Sequence, residues 1–259
     1  MSGMSLRPMF STIAEKYDLL NRLFTLGLDE VWRKYCAKEC ASGKVIVDLC
    51  CGSGDLTKHI LKYAGSDAWM IDVDFTKPML LRSVSKNARK RGRVSFIISD
   101  VAHLPFKDGS VDCIGMSFAF RNLTYKNAQA MAYMRETVRI LRRGGKFVSV
   151  ESSQPGQGLL STLYHLYFLK VVPFIGWLVS RQKSPYKYLS LSITSFPSAQ
   201  EIAAMLLKAG FKKYLSSALI SAQSHCTQQQ NEPVTISAGL GTFLFSVLLI
   251  GVCRMMKRH

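Results

Sequence analysis

A glycine-containing loop follows the first apolar strand of this sequence and carries the residue types of a ligand site. Residues 48–55 read DLCCGSGD and come directly after the β-branched run 45–47. Glycines let the backbone turn tightly and let a ligand approach where a Cβ would clash. A dinucleotide loop has a third glycine at G-x-G-x-x-G, and Thr57 stands at that position here. The loop therefore disfavours a pyrophosphate and, with Asp48 ahead of Gly52 and Gly54, favours a ligand that brings positive charge.

Two further acids stand at the ends of the next two predicted strands. Asp74 follows the apolar run 68–73 and lies twenty residues after Gly54, and Asp100 follows the run 94–99. A carboxylate at the first position can accept hydrogen bonds from both hydroxyls of a ribose. One at the second position can reach an adenine amino group. With the loop, these acids favour S-adenosylmethionine, which carries a ribose, an adenine and two cationic groups. Aspartates that only cap loops are the alternative.

A third group of polar residues follows the fourth predicted strand. Arg121 and Asn122 come shortly after the run 111–116. Ligands of doubly wound sheets bind beyond the carboxyl ends of the strands, so these side chains should face a substrate cleft. There they can orient and polarise an oxygen-bearing ring. The alternative is an arginine paired to an acid and an asparagine that caps the next helix.

The elements that must position these residues alternate along the chain. Predicted strands cover residues 45–49, 68–73, 94–99, 111–116 and 146–150, and predicted helices between them cover 56–63, 77–90 and 127–141. This alternation indicates an α/β fold with a parallel sheet covered on both faces. Upstream, Thr12 and Glu15 fit a capping box, which predicts that residues 13–40 are mostly helical with a break near Gly27.

Composition narrows the possible partners and compartment. The formal charge of +17 favours a polyanion, either nucleic acid or an anionic lipid surface. The basic run 82–93 lacks the aromatic residues of single-strand binders, so nucleic acid is not favoured, and a solvated helix end is the alternative. Seven cysteines without a CxxC pair indicate reduced thiols in a cytosol-like compartment, and no cluster has metal-ligand spacing.

Taken together, these motifs resemble the ubiquinone/menaquinone biosynthesis C-methyltransferase family, whose members methylate a ring carbon of a polyprenylated quinol. The similarity spans about residues 9–211. It rests on the following elements: Phe10-x6-Tyr17-Asp18-x2-Asn21, Trp32, the loop 48–55, Asp74-Phe75-Thr76, Leu104-Pro105-Phe106, Phe120-Arg121-Asn122, Gly144-Gly145, Glu151-x2-Gln154-Pro155 and Tyr186-x-Tyr188-Leu189-x2-Ser192-Ile193.

The resemblance implies a Rossmann-like class I methyltransferase with a mostly parallel seven-stranded sheet. It also implies a demethylmenaquinol or ubiquinol-precursor substrate and S-adenosylmethionine as cofactor. Arg121 and Asn122, with Tyr17 from the N-terminal helix, should approach the ring. The expected cofactor residues are Asp48, Gly52, Ser53, Gly54, Asp74, Asp100, Val101 and Ser117. Ala119 departs from the glycine usual there, and a closing glycine-rich strand is not evident after Gly210.

The expected mechanism needs no metal. An electron-rich hydroquinone carbon attacks the electrophilic methyl group in line, so alignment should supply most of the rate. A guanidinium stays protonated, which assigns Arg121 to phenolate stabilisation, with Asn122 and Tyr17 orienting the ring. His103 is an alternative candidate for the general base, and the other interpretation of this histidine is a structural role.

The C-terminal third raises the question of a membrane. Residues 1–220 should form the methyltransferase domain, with a substrate lid at 159–195 that dips into a bilayer interface, and 221–233 a linker. The uncharged segment 234–253 fits a transmembrane helix, with a closing strand at 239–252 or an interfacial segment as alternatives. The expected location is the cytoplasmic face of a membrane, peripheral or tail-anchored, and a homodimer is possible.

Two rival functions stay open from the sequence. The enzyme could methylate another small lipid, since the C-terminus departs from the family pattern. The chain could also be an inactive membrane-associated scaffold that has kept the fold. The intact set of Asp48, Gly52, Gly54 and Asp74 counts against the scaffold.

Overall fold

The centre of the molecule is a sheet with five parallel strands. The computed structural model describes residues 6–88, 93–152, 158–218 and 248–254. The parallel strands are β1 (Val45–Leu49), β2 (Trp69–Asp74), β3 (Val94–Ile98), β4 (Val111–Ser117) and β5 (Leu141–Ser152). They lie in the order β3-β2-β1-β4-β5. Strands β2 and β3 are therefore added on one side of β1, and β4 and β5 on the other side. This arrangement confirms the predicted α/β fold with a parallel sheet.

Two more strands extend the sheet beyond β5. β6 (Lys213–Ala218) and β7 (Leu248–Arg254) are neighbours, and β7 pairs antiparallel with both β5 and β6. Residues 248–253 are therefore in a strand, and the prediction of a membrane helix over 234–253 is wrong for them. β7 belongs to the same sheet as residues 45–152, so the fold does not end at residue 220. The linker 221–233 and residues 234–247 lie outside the described residues.

Helices cover both faces of the sheet, as the alternation predicts. On one face α2 (Leu28–Cys40) and α3 (Asp55–Tyr63) pack on β1 and β4 through a core that includes Trp32, Ile46 and Ile60. On the other face α6 (Ala130–Ile140) and α10 (Ala199–Ala209) pack through Tyr133, Met134 and Leu206. Two further helices, α4 (Lys77–Lys86) and the short α5 (Phe120–Thr124), follow β2 and β4.

The N-terminal helix starts earlier than the predicted capping box. α1 spans Arg7–Phe24, and Pro8 occupies its first turn, where the missing N–H costs no hydrogen bond. The Thr12 hydroxyl donates to the Pro8 carbonyl inside the helix, so Thr12 does not cap it. The expected break is present, because Gly27 adopts a φ of +80° between α1 and α2.

The segment predicted as a lid forms a layer on α1. It contains α7 (Leu159–Leu166), a π-helical segment (Tyr167–Val171), α8 (Val172–Ser180) and α9 (Ser184–Thr194). α1 and this layer share a third core, made of Ile13, Leu20, Phe24, Phe168, Val172, Tyr186 and Ile193. Among the described helices, Ser161–Ser180 is the one long and apolar enough to cross a bilayer by length and composition.

Candidate active site

The first of two adjoining cavities lies at the carboxyl ends of β1 to β4. It is an open cleft of about 750 Å³. Five of the predicted cofactor residues line it: Gly52, Asp74, Asp100, Val101 and Ser117. Leu6, directly before α1, and Phe10 and Tyr17 of α1 close one side. The cleft therefore combines two carboxylates with apolar walls.

Asp74 is held in the cleft by the main chain. Its Oδ2 accepts a hydrogen bond from the Gly52 amide at 3.0 Å, and its Oδ1 accepts one from the Thr76 amide at 2.7 Å. Burial raises the pKa of Asp74 above its usual value, although these two amides oppose the shift. Gly52 has a φ of +54°, and no atom lies within 4 Å of the position a Cβ would take. Space is therefore open beside the fixed carboxylate, as a ribose or a similar diol requires.

Asp48 lies beneath the loop and not in the cleft. It is fully buried, and its Oδ2 accepts hydrogen bonds from the Thr57 amide at 3.1 Å and the Thr57 hydroxyl at 2.8 Å. The same hydroxyl contacts Asp72 at 2.5 Å. Burial and the neighbouring Asp72 raise the pKa of Asp48, and burial raises that of Asp72 to about 6. Asp48 therefore fixes the start of α3 to β1, whereas the sequence predicted contact with the ligand.

Ser53 is turned toward α1 and α4. Its hydroxyl donates to Asp18 Oδ1 at 2.5 Å and accepts from Lys86 Nζ at 3.1 Å. Asp18 also pairs with Arg82 at 3.2 Å and with Lys86 at 3.0 Å. Burial alone would raise the pKa of Asp18, but the hydrogen bond from Ser53 and the charge of Lys86 hold it below its usual value. Two cations of the basic run are thus paired with an acid of α1.

Gly54 also points away from the cleft. It has a φ of +78°, and a Cβ there would lie 2.0 Å from the Ser83 Oγ. Only a glycine lets the loop lie this close to α4. Gly54 therefore serves the packing of the loop, and Gly52 alone of the two glycines borders the cleft.

The second cavity adjoins the first and contains the predicted ring-binding residues. It has a volume of about 400 Å³, and Phe10, Tyr17 and Asn122 line both cavities. Arg121 lines the second cavity but not the first. Its other walls are Met9, Ile13, Leu20, Asn21, Phe24, Pro185, Tyr186, Tyr188 and Leu189. His103, the alternative base, lines neither cavity. Its backbone amide donates to the Asp100 carbonyl in a turn after β3.

A buried ion pair holds Arg121 in place. Its Nη1 donates to Glu151 Oε1 at 2.5 Å, and its backbone amide donates to Glu151 Oε2 at 3.2 Å. Both side chains are buried, and the Arg121 Nε has no hydrogen-bond partner among the described residues. Burial opposes the charge of Arg121, but Glu151 together with Tyr17 and Tyr188 outweighs it and raises the arginine pKa. Arg121 therefore pairs with an acid and also faces the cavity, so both readings of the sequence apply to it.

Tyrosine hydroxyls surround this ion pair. Tyr188 donates to Asn122 Oδ1 at 3.4 Å, and burial raises its pKa to about 12. Burial also raises the pKa of Tyr17 and of Tyr164. These phenols therefore stay protonated near neutral pH, and the buried Tyr164 hydroxyl has no hydrogen-bond partner among the described residues. The sequence assigned no role to Glu151, Tyr164 or Tyr188, although Glu151 and Tyr188 belong to the motifs of the resemblance.

Comparisons with known proteins agree with this geometry. The family model described as the ubiE/COQ5 methyltransferase family matches residues 3–227. A ubiquinone/menaquinone biosynthesis C-methyltransferase of Geobacter sp. (strain M21) is 38% identical over 215 residues, which cover 81% of this chain and 89% of the relative. A demethylmenaquinone methyltransferase of Thermus thermophilus is 39% identical over 207 residues, which cover 78% and 91%.

The fold has counterparts among solved structures. A SAM-dependent methyltransferase from Aquifex aeolicus superposes with a TM-score of 0.56 at 14% identity, over 92% of this chain and 98% of that one. At such low identity the similarity concerns the fold alone.

Proposed function

The chain belongs to the ubiE/COQ5 methyltransferase family, and from this premise we propose that it methylates a ring carbon of a polyprenylated quinol. It is an S-adenosylmethionine-dependent C-methyltransferase. The proposed acceptor is a demethylmenaquinol or a ubiquinol precursor. The observation that carries the proposal is the junction of two cavities of different chemistry, which meet at Tyr17 and Asn122.

The residues of the first cavity fit S-adenosylmethionine. Asp74 offers a carboxylate fixed by two amides for the ribose hydroxyls, and Asp100 lies at the next strand end for the adenine. Val101 and Met79 give the apolar walls that a base requires, and Gly52 leaves space beside Asp74. The bound cofactor supplies an electrophilic methyl group. The protein contributes alignment, which accounts for a large part of the rate of such transfers.

The second cavity fits a quinol ring and the start of its chain. Arg121, Tyr17 and Asn122 supply polar groups at the end nearest the cofactor cleft. Ile13, Leu20 and Phe24 give the cavity apolar walls, beside the polar groups of Asn21 and Tyr186. A ring whose oxygens meet the polar end would place its tail along these side chains.

Arg121 has the properties of a phenolate-stabilising group. It stays protonated because the buried Glu151 favours its charged form, so it is not a base. Its Nε is a buried donor with no partner among the described residues, and it is therefore available to an oxygen of the substrate. Glu151 fixes the guanidinium through Nη1 and acts as a positioning residue. Preorganised donors of this kind stabilise charge that develops during reaction.

The proposed substrate also suggests a location. A polyprenylated quinol resides in a bilayer, so the enzyme is proposed to work at the cytoplasmic face of a membrane as a peripheral protein. A homodimer stays a prediction that no observation on the described residues tests.

The test uses the full-length protein, a demethylated short-chain quinol and S-adenosylmethionine. We expect Arg121→Ala to lower turnover by about 100-fold or more, the usual cost of losing a preorganised charge-stabilising donor. Cofactor binding, measured by calorimetry, should change little. His103→Ala is the control and should keep near-normal turnover.

Three outcomes are informative. Near-normal turnover of Arg121→Ala would contradict the assignment of this residue. Loss of cofactor binding in the same variant would show that Arg121 has a structural role. If the unmodified protein transfers no methyl group to any demethylated quinol yet binds S-adenosylmethionine, the proposed substrate is wrong. Mass spectrometry of cellular quinones without this protein should then show no species lighter by one methyl group.

A further inference from the structure

One face of the helical layer over α1 is apolar and exposed. α7, the π-helical segment and α8 follow one another without interruption from Leu159 to Ser180. Phe168, Val172 and Gly176, four residues apart, are buried on the inner side. The outer side exposes Leu159, Leu163, Leu166, Phe174 and Leu178, which we name the lid stripe. Between 40% and 77% of each of these side chains is accessible to solvent.

The π-helical segment keeps this stripe on one side of the helix. Each residue of an α-helix advances about 100°, so Phe174 and Leu178 would drift away from Leu166 and widen the stripe to about 120°. A π-helical turn takes in about one extra residue and turns the following helix back by about 100°. The five side chains then lie within an arc of about 80°. Tyr167–Val171 therefore aligns the apolar residues before and after it.

The charged residues of this segment have a single sign. No Asp or Glu occurs from residue 152 to residue 200, whereas Lys170, Arg181, Lys183 and Lys187 are all exposed. Arg181 and Lys183 lie over the ring of Trp177, with their charged groups 5.7 and 5.6 Å from its centroid. Basic side chains beside a tryptophan are typical of the boundary between lipid headgroups and acyl chains. This surface complements an anionic bilayer.

The contacts on the inner side of the same helix determine whether it can span a membrane or lie on its surface. Tyr167 donates from its hydroxyl to the Phe24 carbonyl at 3.2 Å, and Lys16 Nζ donates to the Val179 carbonyl at 2.8 Å. Val172 is fully buried against the core that α1 shares with the layer. A spanning helix would have to break these contacts and expose that core. The helix is therefore suited to lie flat on the surface while attached to α1.

We propose that the lid stripe binds an anionic lipid bilayer as an interfacial helix, with Trp177, Arg181 and Lys183 at the level of the headgroups. The inference rests on the proposed function in one respect, that the substrate tail lies in the bilayer. Phe24 and Tyr186 line the second cavity and pack in the same core as this helix. Docking by the lid stripe would bring the apolar end of that cavity to the membrane.

The experiment measures co-sedimentation of the full-length protein with vesicles of phosphatidylcholine, alone or mixed with phosphatidylglycerol. The test variant is Leu166→Glu/Phe174→Glu. The control is Leu81→Glu/Leu207→Glu, two leucines of similar exposure on α4 and α10. We expect the test variant to bind mixed vesicles about tenfold more weakly or worse, because it loses two inserted apolar side chains. The control should bind as the unmodified protein does.

A second variant and two further readouts separate the possible outcomes. Arg181→Gln/Lys183→Gln should reduce the preference for phosphatidylglycerol and its sensitivity to salt. Turnover of a short-chain quinol in detergent-free solution should be unchanged in all variants, since none of these residues lines either cavity. If that turnover is absent from every protein while vesicle binding behaves as expected, the proposed function fails and the docking surface stands.

Two results would overturn the proposal. One is equal vesicle binding by the test variant, the control and the unmodified protein. The other is an oligomer of the unmodified protein that sedimentation shows to dissociate in the test variant without any change in vesicle binding. The lid stripe would then be an interface between two copies of the chain.

Discussion

The two cavities hold their polar groups by different means. In the cofactor cleft, Asp74 is fixed by amides of Gly52 and Thr76, so the main chain at two strand ends sets its position. In the second cavity, Arg121 of α5 is fixed by Glu151, which lies thirty residues away on β5. The cleft should therefore tolerate side-chain changes in its surroundings, whereas the ring site depends on one buried ion pair. The predictions below test this difference.

The largest expected effect comes from removing the acid of that pair. Glu151→Ala leaves the Arg121 charge buried and unpaired, which should cost about 3–5 kcal/mol in the free energy of unfolding. Turnover at saturating cofactor should fall by about 100-fold, because the guanidinium loses its position. Denaturant unfolding and initial rates measure the two effects. Glu151→Gln, which keeps an acceptor for Arg121, should lose less in both. Equal losses in the two variants would mean that the charge of Glu151 matters here more than its hydrogen bonds.

A smaller effect is expected from removing the carboxylate of the cofactor cleft. Asp74→Ala should weaken binding of S-adenosylmethionine by about 10- to 100-fold, since charge-assisted hydrogen bonds contribute roughly 1.5–3 kcal/mol. The quinol KM should change little. Calorimetric titration measures the first value and steady-state kinetics the second. Asp67→Asn, at an exposed acid that pairs with Lys44 at 3.7 Å, is the control. Unaltered cofactor affinity in Asp74→Ala would remove this residue from the site.

The two loop glycines should respond differently to alanine. Both have positive φ, which costs an alanine about 1–2 kcal/mol. Gly54→Ala also forces a contact with Ser83 and should lose a further 1–3 kcal/mol or so of unfolding free energy. Gly52→Ala should instead reduce cofactor affinity, because its Cβ enters open space beside Asp74. Thermal unfolding with and without cofactor distinguishes the two. Similar stability of both variants would contradict the close packing at Gly54.

The smallest expected effect concerns the pH dependence of stability. Burial raises the pKa of Asp72 from 3.8 to about 6, so the folded state binds more protons than the unfolded state between these values. The contribution of Asp72 to the free energy of unfolding should therefore fall as the pH rises from about 4 to about 6 and then level off. Asp72→Asn should flatten this slope. Denaturant midpoints across the range measure it, and an unchanged slope in the variant would assign the titration to another group.

The strand ends of the cofactor cleft could be predicted from the sequence. Asp74, Asp100 and Ser117 each follow an apolar run, and parallel strands bring such positions to one edge of the sheet. Glycine spacing identified the loop, but it did not show which residues face the ligand. Ser53 turns toward Asp18 of α1, and Gly54 packs on Ser83 of α4. Those partners lie far along the chain, so no local pattern contains the information.

The helix boundaries and the C-terminus show the same limit. The capping box at Thr12 is a valid local signal, yet Pro8 starts the helix earlier and α1 packs along its whole length. Residues 248–253 are apolar enough for either a membrane helix or a strand. β5 and β6 offer unpaired backbone groups on both sides of β7, and that pairing decides in favour of the strand.

By itself the sequence determined the five parallel strands, the cofactor loop and the acids at the strand ends, because local periodicity and turn chemistry encode them. Tertiary structure alone decided that Glu151 holds Arg121, that Asp48 lies beneath the loop, and that two cavities meet at Tyr17 and Asn122. These outcomes depend on packing between distant segments. Side-chain burial and pairing in a folded chain are set by neighbours in space, which no local pattern in the sequence identifies.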